Sequence, residues 1–300
     1  MNLLKFLRVV VIKILKYYNH DRRYPNNINA WLEKTYFFSK YKYWPNFHKP
    51  SKLSEYICYI KLYGDYKKMA FVADKYKIRE EVKKRAGEEY LLEIYDTVKT
   101  PDDISEYKYM SYPDLFVAKP NHASGRVFIN KKKDFPFFYK QVQFFMREYG
   151  NVKNELHYKH IEPRLLIEEY ISPLYEGLYD LKFYVFKGKV LFVIAGKDIW
   201  NAKTDKNRTY ERIVYDRNWN ITWYQISAKQ AEEMERPSKL KEMIDIAEAL
   251  AKDWEFMRVD LYWYDNKIKF SEMTPTPASG RKAFIPFYAE KYLYEKYLKV

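Results

Sequence analysis

Residues 258–280 read RVDLYWYDNKIKFSEMTPTPASG. This stretch is two strands joined by a tight turn. Asp265-Asn266 is the turn signal, and β-rich residues flank it on both sides. On the first arm Arg258, Asp260 and Tyr262 alternate with Val259, Leu261 and Trp263. On the second arm Phe270, Glu272 and Thr274 are expected on one face, with Ser271 and Met273 on the other. The hairpin brings Asp260 and Glu272 together across the two strands. Like charges placed opposite each other destabilise a sheet unless something compensates. A hard divalent cation, which prefers oxygen ligands, would compensate. Two acids that face solvent or pair with nearby lysines are the other reading of the same residues.

Outward from the hairpin, 237–254 is the clearest helix. Leu240, Met243, Ile244, Ala247, Leu250, Ala251 and Trp254 follow three- and four-residue steps. It is expected to pack on the sheet that carries the hairpin. Leu181–Phe186 and Val190–Ala195, joined by Lys187-Gly188-Lys189, read as a second hairpin with Asp180, Lys182 and Tyr184 on one face. Between them 202–212 is expected to be a mobile loop, and its Lys203 and Arg208 are candidates to reach an anion. The tail, 281–300, reads as a terminal helix.

Upstream, Leu115–Pro120, Asn121–Arg126 and Val127–Ile129 give a strand, a short loop and a strand. A lysine at a strand end followed by a Ser-Gly loop presents charge and backbone N–H groups to phosphate oxygens. No Walker A motif and no Gly-x-Gly-x-x-Gly occurs in the chain. Leu165-Leu166-Ile167 opens a buried strand that runs into Glu168-Glu169-Tyr170-Ile171. His157 and His160 have the spacing of a metal pair on a helix, but no Cys and no third ligand stand nearby. A helical pattern over 70–87 ends at Gly87, a natural stop; Asp74-Lys75 opens it. Leu53–Tyr63 is a further helical pattern, and 20–50 reads as irregular structure with short helices.

Bulk properties narrow the class. With 47% hydrophobic and 19% aromatic residues the chain is not disordered. Residues 1–85 hold 20 Lys and Arg against 7 Asp and Glu, so +13 of the +14 net charge sits in that part. Such a region faces an anionic partner or is a solvated basic surface. Residues 1–19 mix apolar residues with Lys5, Arg8, Lys13 and Lys16, which interrupt the run too often for a membrane span. The pattern suits an in-plane membrane helix or a helix packed on the core. Cys58, the single cysteine, excludes an internal disulfide and any Cys-based zinc site, and its apolar setting suggests a buried thiol. A reducing cytoplasm is consistent with one such thiol.

Three motifs resemble the TupA-like ATP-grasp family, found in bacterial surface-polysaccharide loci. They are Arg-Val-Asp followed by a hairpin and Glu-x-Thr-x-x-Pro-x-Ser-Gly at 258–280, Lys-Pro-Asn-His-x-Ser-Gly at 119–125, and PSKLSEYICYIKLYG at 50–64. Their order over about 60–280 is similar to the ATP-grasp order. The resemblance implies an α+β ATP-grasp fold, two α+β subdomains holding ATP between antiparallel sheets, with a basic helical N-terminal region. The implied division is 1–60, 61–110, 111–172 and 173–300. Asp260, Glu272 and Thr274 would hold Mg²⁺ on the ATP phosphates. Lys75, Lys119, Ser124, Gly125 and Lys182 would meet the phosphates. Glu168 and Glu169 would form the adenine hinge, and Glu176 would hold the ribose. Many ATP-grasp members have Asn where Thr274 stands; TupA-like members often have Gly where Ala123 stands and Lys where Tyr56 stands.

The activity implied is ATP-dependent joining of a carboxylate and an amine through an acylphosphate. Arg258, two residues before Asp260, would steady the developing charge, or form an ordinary salt bridge. By the resemblance the substrates are a sugar acid or amino-acid unit, glycan-linked, at the cytoplasmic side of the membrane. A glycosyltransferase using a nucleotide sugar is the alternative; a clean Asp-x-Asp would favour it, and none occurs. A nucleic-acid or polyanion binder acting through the basic region would leave Asp260 and Glu272 without a purpose, so nucleic acid is not the expected partner.

Overall fold

The computed structural model describes residues 26–123, 127–132, 134–147, 154–171, 178–196, 212–226 and 232–299. Ser124, Gly125, Glu176, Lys203, Arg208 and the basic segment 1–19 lie outside them.

Two antiparallel sheets form the frame. The smaller contains β1 (Ile94–Val98), β2 (Leu115–Pro120), β3 (Phe128–Lys131) and β4 (Leu165–Glu168), in the order β1-β4-β2-β3. The larger contains β5 (Tyr179–Phe186), β6 (Lys189–Gly196), β7 (Arg212–Asp216), β8 (Phe256–Tyr264) and β9 (Lys267–Thr274), in the order β7-β6-β5-β8-β9. Strand alternation decides what each face does. On the small sheet Phe116, Ala118, Leu165 and Ile167 point into a core with Phe138 and Val142. The neighbours Val117, Lys119 and Glu168 point the other way, into a cavity.

The large sheet repeats this logic. Leu181, Phe183, Val193, Val259, Leu261 and Met273 face a core that includes Met243, Ala247 and Leu250 of helix Leu240–Ala251. That helix is the one expected from its apolar spacing. The opposite face is divided. Asp180, Lys182, Asp260 and Tyr262 look into the cavity. Tyr184, Phe186, Phe192, Ile194 and Phe256 join a second core with Leu53, Ile57, Phe284 and Leu293.

The β8–β9 hairpin turns at Asp265 and Asn266, whose φ values of 48° and 54° suit a two-residue turn of the left-handed kind. Asp260 pairs with Glu272 in register, and then the register shifts: Leu261 pairs with Phe270. A bulge at Ser271 therefore corrects the strict alternation. Phe270 turns into the apolar core, and Ser271 lines the cavity beside Glu272.

Three further expectations are revised. The stretch read as irregular with short helices contains one long helix of 16 residues, α1 (Asn26–Tyr41). Helix α2 (Leu53–Tyr63) is as expected. The single pattern over 70–87 is two helices, α3 (Tyr66–Ala73) and α4 (Ile78–Arg85), broken at Asp74. The Asp74 carboxylate accepts from the N–H groups of Tyr76 and Lys77, at 2.9 and 3.3 Å, which favours a turn over helix continuation. In the tail, 281–288 is not helical, and Ile285 forms an antiparallel bridge with Gln225. Helix begins only at Ala289, as Ala289–Tyr297.

Candidate active site

Between the two sheets lies a cavity of about 190 Å³. Its lining reads as three zones. Val117, Val127, Ile129, Ile171 and Leu178 give an apolar wall. Glu168, Glu169 and Tyr170 form one rim, and Lys75, Lys119, Lys182, Asp180, Asp260 and Glu272 form a charged floor. Of the residues singled out from sequence, the structure brings Lys75, Lys119, Lys182, Glu168, Glu169, Asp260 and Glu272 into this one cavity. Arg258 and Thr274 stand beside it on β8 and β9.

The strands set the floor. Lys182, Asp260 and Glu272 are direct cross-strand neighbours on β5, β8 and β9, so their side chains share one face. Arg258 pairs with Thr274 one step further along the same face. The Arg258 guanidinium donates to Asp260 Oδ1 at 2.6 Å through Nε and to Oδ2 at 2.7 Å through Nη2. Nη2 also donates to Glu272 Oε1 at 2.8 Å and to Thr274 Oγ1 at 3.0 Å. The salt bridge considered from sequence is therefore present to both acids. Lys182 donates to Asp260 at 3.2 Å and to Asp180 at shorter range.

Two lysines arrive from the opposite side. Lys119, at the end of β2, pairs with Glu168 at the end of β4. Lys75 donates to the Ala123 carbonyl at 2.9 Å, and its ammonium lies 3.6 Å from Glu272 Oε2. Asn121 fixes this corner. Its amide donates to Asp74 Oδ1 at 2.9 Å and to the Glu162 carbonyl at 3.0 Å, and its Oδ1 accepts from Arg164 N at 2.8 Å. The loop after β2 and the turn before Lys75 are thereby one unit. Ala123 does not have a positive φ, so this corner forms with alanine.

The charges are closely balanced, and their pKa values follow from burial and neighbours. Burial alone would raise Glu272; Lys75, Arg258, Lys182 and Lys119 outweigh it and hold the carboxyl at about 2. For Asp260, which is 1% exposed, burial pushes the pKa upward against Arg258 and Lys182. Burial also pulls Lys75 down, assisted by Lys119 and opposed by Glu272. Burial would lower Lys182 as well, but Asp180 and Asp260 keep it above the usual lysine range. Cys58 is fully buried and its thiol is pushed up to about 12, as an inert thiol would be.

Asp260, Glu272 and Thr274 present hard oxygens on one face, of the kind Mg²⁺ takes, and in this structure Arg258 donates to four of them. Among the described residues no group of three or more His, Cys, Asp or Glu forms a closed cage. An ion here would take its remaining ligands from phosphate oxygens and water, as Mg²⁺ does. His157 is buried, with its pKa lowered to about 3, mainly by burial. Sequence reasoning missed Ser271 and the clamp at Asn121. The first needed the bulge, and the second needed the contact with Asp74, 47 residues away.

This arrangement is an ATP-grasp fold, with two antiparallel sheets enclosing a cavity of paired lysines and acids. The TupA-like ATPgrasp family model matches residues 55–298, and the chain belongs to that family. Among solved structures the chain is similar to D-alanine–D-alanine ligase from Bacillus anthracis complexed with ATP (18% identity, 69% of this chain and 57% of that chain, TM-score 0.42). It is similar to L-amino acid ligase from Bacillus licheniformis (18% identity, 71% of this chain and 45% of that chain, TM-score 0.41). A third is D-alanine–D-alanine ligase from Helicobacter pylori (14% identity, 70% of this chain and 53% of that chain, TM-score 0.41). The chain thus spans about half the length of these proteins. No curated protein matches it.

Proposed function

We propose that the protein is an ATP-dependent carboxylate–amine ligase. The observation that carries this reading is the in-register pair Asp260–Glu272, with Arg258 and Thr274 beside it and Lys182, Lys75 and Lys119 converging on the same cavity. ATP brings several negative charges into a space where the protein supplies both signs. Lys75, Lys119 and Lys182 would meet the phosphates, together with the N–H groups of Ser124 and Gly125. The apolar wall would take the adenine, with the Glu168–Glu169 segment at its edge and Glu176 at the ribose. Asp260, Glu272 and Thr274 would hold Mg²⁺, which, when bound, neutralises phosphate charge and polarises the γ-phosphoryl group.

The chemistry runs in two transfers. A substrate carboxylate oxygen attacks the γ-phosphorus, the bond to the β,γ-bridging oxygen breaks, and ADP leaves. An amine then attacks the acyl carbon, inorganic phosphate leaves with the bonding electrons, and the amine nitrogen loses a proton. Arg258, which holds Asp260, Glu272 and Thr274 through Nη2, would stabilise negative charge on the transferred group. The proposed substrates are a sugar acid or amino-acid unit, glycan-linked, of a bacterial surface polysaccharide, handled at the cytoplasmic face of the membrane. That extension follows the family and the basic N-terminal region, and the division at 60, 110 and 172 goes with it.

Thermal unfolding with ATP, ADP and a UDP-sugar, each with and without Mg²⁺, tests the nucleotide site, because a ligand of the native state raises the melting point. A Mg²⁺-dependent shift with ATP that disappears in Glu272→Gln is expected. Release of ADP on addition of a carboxylate and an amine then tests the ligase step. A shift with UDP-sugar alone would replace this reading with the glycosyltransferase.

A further inference from the structure

The second apolar core reaches the surface as an aromatic patch that the active-site cavity does not use. Its centre is 285–288. Phe287 stacks on Tyr41 at 5.2 Å and tilts against Tyr43 at 5.9 Å. Tyr288 stacks on Trp223 at 5.1 Å, and Trp223 meets Tyr292 edge-on at 5.3 Å. Trp44, next to Tyr43, stacks on Phe38 at 4.9 Å. These three groups adjoin through the chain neighbours Phe287-Tyr288 and Tyr43-Trp44, and their side chains are open to solvent: Tyr288 66%, Trp44 54%, Trp223 48%, Ile285 47% and Phe287 36%. A connected apolar surface of this kind marks an interaction site.

The charge around it is mainly positive, with the exposed Glu295 beside Lys291 and Lys299 as an exception. Segments 34–52, 217–226 and 281–289, which build the patch, carry eight Lys and Arg and no Asp or Glu. Lys52 lies 4.4 Å from the centre of the Tyr43 ring, and Lys296 lies 5.1 Å from that of Tyr292. The nearby acids Glu55 and Glu290 are buried.

We propose that this patch is a docking surface for an anionic lipid bilayer. Trp and Tyr rings suit the headgroup level, where one end is apolar and the other wet. Lysines around them meet lipid phosphates. Other partners fit less well. Lysine is depleted at protein–protein interfaces. Sugar hydroxyls would lie unpaired over Ile285 and Phe287. Nucleobases need free ring faces, and three of the pairs here are already stacked on each other. The surface gives a place to the membrane contact proposed above. It shares no residue with the cavity proposed for the ligase chemistry.

The test is flotation of the full chain with vesicles of pure phosphatidylcholine, or with roughly one third phosphatidylglycerol. Binding to the second alone is expected, weakening as salt rises from about 0.1 to 0.5 M. Trp223→Ser with Tyr288→Ser is expected to lower it about tenfold with the melting point and the ATP shift retained. Lys42→Glu with Lys49→Glu, both exposed in the 34–52 segment, is expected to act in the same direction and serves if the aromatic variant does not fold. Three results would overturn the proposal. One is no binding to anionic vesicles. Another is binding that both patch variants retain but Lys5, Arg8, Lys13 and Lys16→Gln abolishes. The last is a patch-dependent retention on alginate, a soluble acidic polysaccharide, without vesicle binding. Loss of the ATP shift in wild type would count against the ligase and leave the docking surface standing.

Discussion

Arg258 and Asp260, two residues apart on β8, are joined by two near-parallel hydrogen bonds, Nε to Oδ1 at 2.6 Å and Nη2 to Oδ2 at 2.7 Å. Both side chains are largely buried, at 12% and 2% exposure. The same guanidinium holds Glu272, so one cation serves two carboxylates across a strand pair. Removing it leaves Asp260 with Lys182 and Glu272 with Lys75.

Arg258→Met is therefore expected to destabilise the protein by about 3 kcal/mol, since two carboxylates lose the guanidinium they share and keep only one lysine each. Combining it with Asp260→Asn is expected to cost less than the two changes added together. Urea titration of the four proteins measures this. Strict additivity would mean that the two side chains do not act as a pair.

A second buried ion cluster lies behind the loop that follows β9. Glu33 and Lys61 are both fully buried and 3.1 Å apart. Arg281 donates to Glu33 at 2.5 and 3.0 Å, and Lys61 donates to the Ser279 carbonyl at 2.9 Å. Glu33→Ala is expected to cost about 3–5 kcal/mol, and Glu33→Leu with Lys61→Met less than that. Deletion of 1–45 is expected to destabilise the chain although it lies outside the family-matched residues. A melting point unchanged by that deletion would show that α1 does not hold the loop.

The same cluster explains what the sequence left illegible. The β8–β9 hairpin was readable because turn type and alternation are local, and so was the meeting of Asp260 with Glu272. The α2 helix and the helix at Leu240–Ala251 were readable from apolar spacing. Helix α1 was not, because its decisive contact joins Glu33 to Arg281, 248 residues away. The break at Asp74 was hidden for a similar reason: an aspartate inside a helical pattern becomes a stop only when its carboxylate caps a turn and meets Asn121. The bulge at Ser271 has no local signal, and so Phe270 was assigned to the wrong face.

Glu272 gives a pH dependence with a definite sign. Its folded pKa of about 2 lies below the ordinary 4.5. The stability it contributes is full above the unfolded value and is lost as pH falls from about 4.5 toward 2. The linked free energy is on the order of 3 kcal/mol as an upper figure. Wild type should exceed Glu272→Gln in stability at neutral pH, and the difference should shrink across that window. Urea midpoints for both proteins between those pH values measure it. A constant difference would mean that the lysines around Glu272 do not set its charge.

The loop after β9 contains Ala278, Ser279 and Gly280 in succession with φ of 47°, 59° and 66°. At Gly280 a Cβ would lie 2.6 Å from Cys58 Sγ and 2.9 Å from the Ser54 carbonyl oxygen. Helix α2 approaches the loop this closely only because the side chain is absent. Gly280→Ala is expected to cost about 1–3 kcal/mol from overpacking together with backbone strain. Adding Cys58→Ala removes the sulfur but leaves the Ser54 carbonyl and the positive φ, so recovery should be partial. The loop continues the strand that carries Glu272 and Thr274, so a shift in it moves the ends of the proposed Mg²⁺ ligand set. The Mg²⁺-dependent melting shift with ATP should fall in Gly280→Ala and return in part with Cys58→Ala. Full recovery of stability in the double variant would assign the glycine requirement to the sulfur alone and remove backbone strain from the account.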